Sequence, residues 1–230
     1  MIIVTGSSKG IGNAIANRLS KNGHEVLGIS RTLPKNESSF RTYQGNVGQK
    51  ESLIKLQNEL KENNITVTGL INAAGILENV LVDWMAKEQS EIEEVFNTNV
   101  VGVINSCQTF IPLMNKKQHT PIINMTSISA HVQTDLMIYG PSKHAIYGFT
   151  KNLARSLKNT SIRPNCISPG PIFPTGMTEA VPDVLLKHYS SSQIINGKIF
   201  SPEDVCDIVE LLLDPKSNSL TGQAFHLGGI

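Results

Sequence analysis

A repeated alternation constrains this chain more than any other feature. Short apolar runs of strand length are each followed by a stretch whose apolar residues recur with helical period. Residues 2–4 (Ile, Ile, Val) form the first run. Ile11, Ile15 and Leu19 then recur every four residues, up to a stop signal at Asn22-Gly23. Residues 25–30 read as a second strand, 32–40 as a loop and 41–46 as a weak third strand. Leu53, Leu56 and Leu60 mark the next helix, and 67–71 a fourth strand. One long helix is expected over 90–114, a strand over 121–126, a helix over 139–158 and a strand over 162–168. Ser201-Pro202-Glu203-Asp204 offers a cap, a proline at the first helical position and first-turn acids, so a helix starts there and runs to Leu213. Residues 224–227 form a last strand. Strands alternating with helices of about ten residues or more imply βαβ units. The expected fold is α/β, a single doubly wound parallel sheet of about seven strands with helices on both faces, in one domain over 1–230. Pro, Gly and Ser crowd residues 171–200, with a short helical candidate near 184–189. That stretch reads as a lid over a substrate.

Composition narrows the partners. Twenty basic against 19 acidic residues leave a formal charge of +1, too little basic excess for a nucleic-acid binder. No apolar run approaches the roughly 18 residues of a membrane span. The first residues run straight into a glycine-rich turn, leaving no room for a signal peptide, so a cytoplasmic location is expected. Cys107, Cys166 and Cys206 are odd in number and widely spaced, which fits buried thiols rather than a disulfide framework or a metal site.

Three motifs carry chemistry. Thr5-Gly6-Ser7-Ser8-Lys9-Gly10-Ile11-Gly12 lies between the first strand and the first helix. Glycines there let the backbone turn sharply and approach a pyrophosphate, which the helix N-terminus receives with free N–H groups. Asn72-Ala73-Ala74-Gly75 ends the fourth strand, where small side chains let a flat ligand lie against the sheet edge. Tyr139 and Lys143 are four apart on one helix and share a face. A free tyrosine, with a pKa of about 10, is a poor base, and a nearby ammonium favours the phenolate. Ser127, twelve residues upstream at a strand end, and Asn99 accompany the pair.

Together with Pro169-Gly170, Ile172, Thr175 and the closing Thr221-Gly222-Gln223…Gly228-Gly229, these motifs resemble the short-chain dehydrogenase/reductase family over essentially the whole chain. The closing motif is that of its ketoacyl-carrier-protein reductase-like branch. The resemblance implies a Rossmann-type, single-domain NAD(P)-dependent oxidoreductase acting on a small carbonyl or alcohol. It implies that Tyr139 exchanges a proton with the substrate oxygen and that Lys143 holds the nicotinamide ribose and lowers the Tyr139 pKa. Ser127 would polarise the carbonyl, and Asn99 would anchor a water that links Lys143 to bulk solvent. Pro169, Gly170, Ile172 and Thr175 would border the nicotinamide.

Charge bears on the cofactor. NAD-binding folds place an acid after the second strand to hold the ribose diol, whereas a 2′-phosphate needs a cation. Here Arg31 stands at that point and Lys9 lies in the glycine-rich turn, which favours NADP(H) over NAD(H). The family's Asp after the third strand is replaced by Asn46-Val47, where Asn46 still offers an acceptor to adenine. Ser127 precedes Tyr139 by twelve residues instead of thirteen, so Thr126 competes for its role. The missing residue falls in the loop 129–138, expected on the substrate side, where His131 is a candidate substrate contact. Lys116-Lys117, expected at a helix end, could dock an acidic carrier protein. A homodimer or homotetramer through the helices 90–114 and 139–158 is expected. A non-catalytic NADP(H) sensor on the same fold is the alternative function.

Overall fold

A computed structural model describes residues 1–34, 38–175 and 198–228, together with Val184 and Ile195. Most of the expected lid, including its helical candidate, lies outside the described residues. Seven parallel strands form one sheet: β1 (Ile2–Thr5), β2 (Val26–Ser30), β3 (Arg41–Gln44), β4 (Gly69–Asn72), β5 (Thr120–Met125), β6 (Ile162–Pro169) and β7 (Ala224–Leu227). Their order is β3-β2-β1-β4-β5-β6-β7. The chain therefore reverses its direction of winding between β1 and β4, the switch point at which open α/β sheets bind ligands.

The helices are α1 (Gly10–Lys21), α2 (Lys50–Glu62), α3 (Gln89–Phe96), α4 (Gly102–Phe110), α5 (Tyr139–Ser156) and α6 (Pro202–Leu213). Alternate residues of each strand face opposite sides, and the two cores follow that rule. Ile2, Val4 and Ile71 pack under Ile15 and Leu19 of α1 and Val205 and Val209 of α6. Ile3, Leu27, Leu70 and Ile122 pack under Leu53 and Leu56 of α2, Phe110 of α4 and Ile146 of α5. Each such side chain contributes about 1.5–3 kcal/mol on leaving water. The capping box of Ser201 and Asp204 starts α6 as expected.

The helix expected over 90–114 is present as an unbroken helical run over 89–113, but it is not α-helical throughout. A π-helical turn, Asn97–Val101, separates α3 from α4, and a 3₁₀ turn, Ile111–Leu113, follows α4. Lys116 and Lys117 lie beyond that turn, in an exposed connection to β5. Apolar periodicity persists through the π turn, so the pattern alone does not reveal it.

A buried polar chain ties the sheet to α5. Asn72 Nδ2 donates to Asn124 Oδ1 at 2.8 Å, and Asn124 Nδ2 donates to Thr150 Oγ1 at 2.8 Å. The Thr150 hydroxyl donates to the Ile146 carbonyl. Asn124 is 0% exposed, so cutting this chain strands buried donors and acceptors. Each orphan costs about 1–3 kcal/mol. One such orphan in Asn124→Ala should therefore lower Tm by about 2–12 °C, at roughly 2–4 °C per kcal/mol for a chain of this size. Asn72→Ala on that background should add much less than it does alone, because both act on one network. Thermal unfolding of the four-member cycle checks this; full additivity would contradict it.

Candidate active site

The C-terminal edge of the sheet opens onto a cavity of about 630 Å³. Gly6, Ser8, Lys9, Gly10, Ile11 and Gly12 line it from the turn between β1 and α1. Arg31 follows β2, Asn46 and Val47 follow β3, and Ala73, Ala74 and Gly75 follow β4; Thr175, after β6, lines it too. Thr98, Ile76 and Leu77 also line it, and no sequence motif singled them out. Pro169, Gly170 and Ile172 are not among its walls. Pro169 ends β6, Gly170 donates its N–H to Leu227, and Ile172 is buried in a bridge to Phe200. Asn72 is likewise absent from the walls and serves the polar chain below the cleft.

The glycine-rich turn is shaped for close approach. Gly6 has φ +73°, and a Cβ there would stand 2.7 Å from the Ala74 backbone. A Cβ on Gly12 would run into the Gly6 carbonyl. The turns after β1 and β4 thus touch across the switch point. No side chain caps α1, and its first turn carries no acid. Its free N–H groups and positive dipole end face the cavity, which fits an anionic pyrophosphate. The cleft therefore suits a dinucleotide by shape and by charge.

At the outer end, Lys9 is exposed and Arg31 pairs with Glu94 of α3 at 3.1 Å. Glu94 was not foreseen, because it lies 63 residues from its partner. The Asn46 acceptor is engaged by the Gly48 N–H at 3.0 Å, so its side chain shapes the turn after β3.

The expected catalytic set, Asn99, Ser127, Tyr139 and Lys143, is not among the cavity walls; it gathers behind Gly75, which is. Ser127 leaves β5 and caps a short 3₁₀ turn, accepting the Ser129 N–H at 3.2 Å. Thr126 is turned into the sheet, where it meets the Ile167 carbonyl and the Ser168 hydroxyl. Of the two, Ser127 is thus the residue beside the Tyr139 hydroxyl. Lys143 is 4% exposed, and its Nζ donates to the Met125 carbonyl at 3.0 Å. That Nζ stands 5.4 Å from the centre of the Tyr139 ring. A Cβ on Gly75 would come within 3.3 Å of both Lys143 Nζ and Asn99 Oδ1, so glycine keeps the inner end open.

Asn99 sits in the π turn and is fully buried. Its Oδ1 accepts the Ile76 N–H at 2.8 Å, and its Nδ2 donates to the Ile76 carbonyl and to Ser142 Oγ. Both Nδ2 hydrogens are thus taken by protein groups while Oδ1 keeps a second lone pair, and the side chain fastens the turn after β4 to α5. His131 is turned onto Ser168 Oγ, 2.9 Å away, and onto the rings of Tyr147 and His226. The loop 129–138 borders a separate hollow of about 550 Å³ that Tyr139 and Lys143 do not line.

Burial dominates the electrostatics. It pushes the Tyr139 phenol up to about 12, with the Ser127 hydroxyl pulling the other way. It pulls the Lys143 ammonium down to about 8, with the Cys166 thiol opposing this. The expected lowering of the phenol by Lys143 is thus not a property of the chain alone, since the ammonium is hydrogen-bonded to a carbonyl instead. The Tyr139 phenol therefore holds its proton over the neutral range, and Lys143 keeps its charge below about pH 8. The absorbance of tyrosinate near 295 nm checks this. Wild type and Tyr139→Phe should have matching titrations up to about pH 10, because the extra phenol ionises later. A phenolate signal near pH 8–9 that disappears in Tyr139→Phe would contradict it.

Comparison with known proteins agrees with this architecture. The family model for short chain dehydrogenase matches residues 1–184. The 3-oxoacyl-[acyl-carrier-protein] reductase FabG of Staphylococcus epidermidis is 31% identical over 99% of this chain and 96% of its own length. Its counterpart in Vibrio cholerae is 28% identical over 99% and 95%. Among solved structures, the Thermoplasma acidophilum aldohexose dehydrogenase superposes with a TM-score of 0.87 at 23% identity, covering 98% of this chain and 91% of that one. No helix among the described residues is long and apolar enough to cross a membrane. The chain belongs to the short-chain dehydrogenase/reductase family, in its ketoacyl-reductase-like branch, and is a nicotinamide-dependent oxidoreductase.

Proposed function

We propose that the chain is a cytoplasmic NADP(H)-dependent reductase of a small carbonyl compound, with Tyr139 as the general acid and base. The observation that supports this reading is the clustering of Ser127, Tyr139 and Lys143 behind Gly75, a wall residue of a dinucleotide-shaped cleft. The bound nicotinamide supplies the hydride. Ser127 orients the substrate oxygen, and Tyr139 delivers a proton to that oxygen as negative charge develops there. Lys143 lies one helical turn deeper. It fixes the ribose and, with its ammonium close to the phenol, favours the phenolate left after proton transfer. Asn99 keeps the turn after β4, which lines the cleft, in place.

Lys9 and Arg31 at the outer end support a preference for the 2′-phosphate, and the relatives' printed activity supports a 3-oxoacyl thioester as substrate class. Residues 171–200 are the proposed lid. The proposed assembly is a homodimer or homotetramer through α4 and α5.

Two measurements test the assignment. Tyr139→Phe should bind NADPH as wild type does but lose about 10²–10⁴-fold in turnover with acetoacetyl-coenzyme A, the contribution of a positioned acid. Near-full turnover would refute the role. Calorimetry of Arg31→Asp should show a loss of about tenfold or more in NADPH affinity, since a charge-assisted contact contributes about 1.5–3 kcal/mol. Equal affinity of the wild type for NADPH and NADH would refute the cofactor choice.

A further inference from the structure

The loop between β4 and α3 holds a charged cluster that the proposed mechanism does not use. Glu78 is 5% exposed. Its Oε1 accepts two backbone N–H groups, those of Ile138 and Tyr139, each at 2.9 Å. These are the first orphan donors of α5, which begins at Tyr139 itself and has no cap from its own N-cap side chain. A carboxylate at a helix N-terminus also meets the positive end of the helix dipole. The second oxygen, Oε2, lies 3.7 Å from the Lys87 ammonium, whose side chain is only 2% exposed. Lys87 in turn donates to Glu91 Oε1 at 3.1 Å and to the Asn79 carbonyl. Glu91 Oε1 accepts the Asn79 N–H at 2.6 Å, which closes the cluster back onto the loop.

This arrangement is more than a surface ion pair. Two buried charges are expensive unless each is matched and hydrogen-bonded. Here the matched set ends on the backbone N–H of the proposed proton donor. The ring of Tyr139 reaches Ser127 from a helix start that would otherwise be the first part of α5 to fray. Lys143, one turn deeper, has its own hold on the Met125 carbonyl. The two ends of the catalytic pair are therefore fixed by different groups.

We propose that Glu78, held by Lys87, is a positioning residue that sets Tyr139 against the substrate oxygen by pinning the first turn of α5. The proposal rests on the assignment of Tyr139 as the proton donor. Truncating Glu78 should loosen Tyr139 and leave cofactor binding in place. Removing the charge while keeping an acceptor oxygen should be tolerated better than shortening the side chain.

The test compares wild type with Glu78→Ala, Glu78→Gln and Glu78→Asp as full-length proteins. NADPH sites are counted by fluorescence titration, and turnover with acetoacetyl-coenzyme A is expressed per site. Glu78→Ala should lose about tenfold or more in turnover per site, with the NADPH dissociation constant within about twofold of wild type. Glu78→Gln, which can still accept both N–H bonds, should recover turnover to within about threefold. Glu78→Asp keeps the charge but not the reach and should fall near Glu78→Ala; it serves if Glu78→Ala does not fold. Backbone hydrogen exchange, followed by mass spectrometry with NADPH bound, gives a readout that does not depend on activity. The peptide covering Ile138 and Tyr139 should exchange faster in Glu78→Ala or Glu78→Asp, while peptides from the rest of α5 stay as in wild type. Turnover per site within twofold of wild type in the shortened variants, or unchanged exchange at the helix start, would overturn the proposal. If Tyr139→Phe kept full turnover in the same assay, the proton-donor assignment would fail instead. The exchange result would then still decide whether Glu78 holds the helix start.

Discussion

The structure depends on keeping one ammonium buried. Lys143 lies between β5 and α5, and no carboxylate stands beside it among the described residues. Among the described residues, its one hydrogen bond goes to the Met125 carbonyl. An ammonium carries three donors, so two remain for the cleft. Holding such a group out of water costs free energy that is recovered only when a ligand or the phenol shares the donors. The surrounding fold has to prevent the easy relaxation, in which α5 rotates and the amine reaches solvent. Three polar contacts oppose it along the helix: Glu78 on the first N–H groups, Asn99 on Ser142 and Asn124 on Thr150. They arise from the turn after β4, the π turn and β5, so the helix is fixed to separate parts of the molecule.

The same logic accounts for the π turn. Asn99 has to be fully buried and to reach both backbone groups of Ile76 as well as Ser142. The extra residue in the Asn97–Val101 turn rotates the helix there, and single-turn π segments recur at functional sites for this reason. The outer end of the cleft is built more loosely. Arg31 and Glu94 form an exposed pair, of the kind that contributes at most about 1 kcal/mol. A phosphate could replace Glu94 at Arg31 with little loss. Affinity there is set by competition among charges, whereas the inner end is set by burial.

Much of this was legible in the sequence because it is local. The strand and helix periods gave all seven strands to within a few residues, and the two glycine-bearing turns were placed at the ends of β1 and β4, where the sheet reverses. Tyr139 and Lys143 were paired by helical spacing alone. What failed to show was non-local or depended on burial. Glu78 and Glu94 look like ordinary loop and helix charges until the fold brings them to groups 61 and 63 residues away. The choice between Thr126 and Ser127 does not follow from counting, because it depends on how the chain turns as it leaves β5 for the 3₁₀ turn. The upward shift of Tyr139 by burial does not show in the sequence, because a nearby cation can be read from spacing, whereas desolvation cannot.

The central claim is that this cleft transfers hydride from nicotinamide to a carbonyl carbon under the control of Tyr139. The most direct measurement follows the hydrogen itself. NADPH carrying two deuterium atoms at nicotinamide C4 is incubated with the enzyme and acetoacetyl-coenzyme A, and the product is weighed by mass spectrometry. The account predicts a 3-hydroxyacyl product heavier by one deuterium, with that deuterium on the new carbinol carbon. NADPH binding with no labelled product across 3-oxoacyl thioesters and other ketones would contradict it and point to a cofactor-sensing protein on this fold.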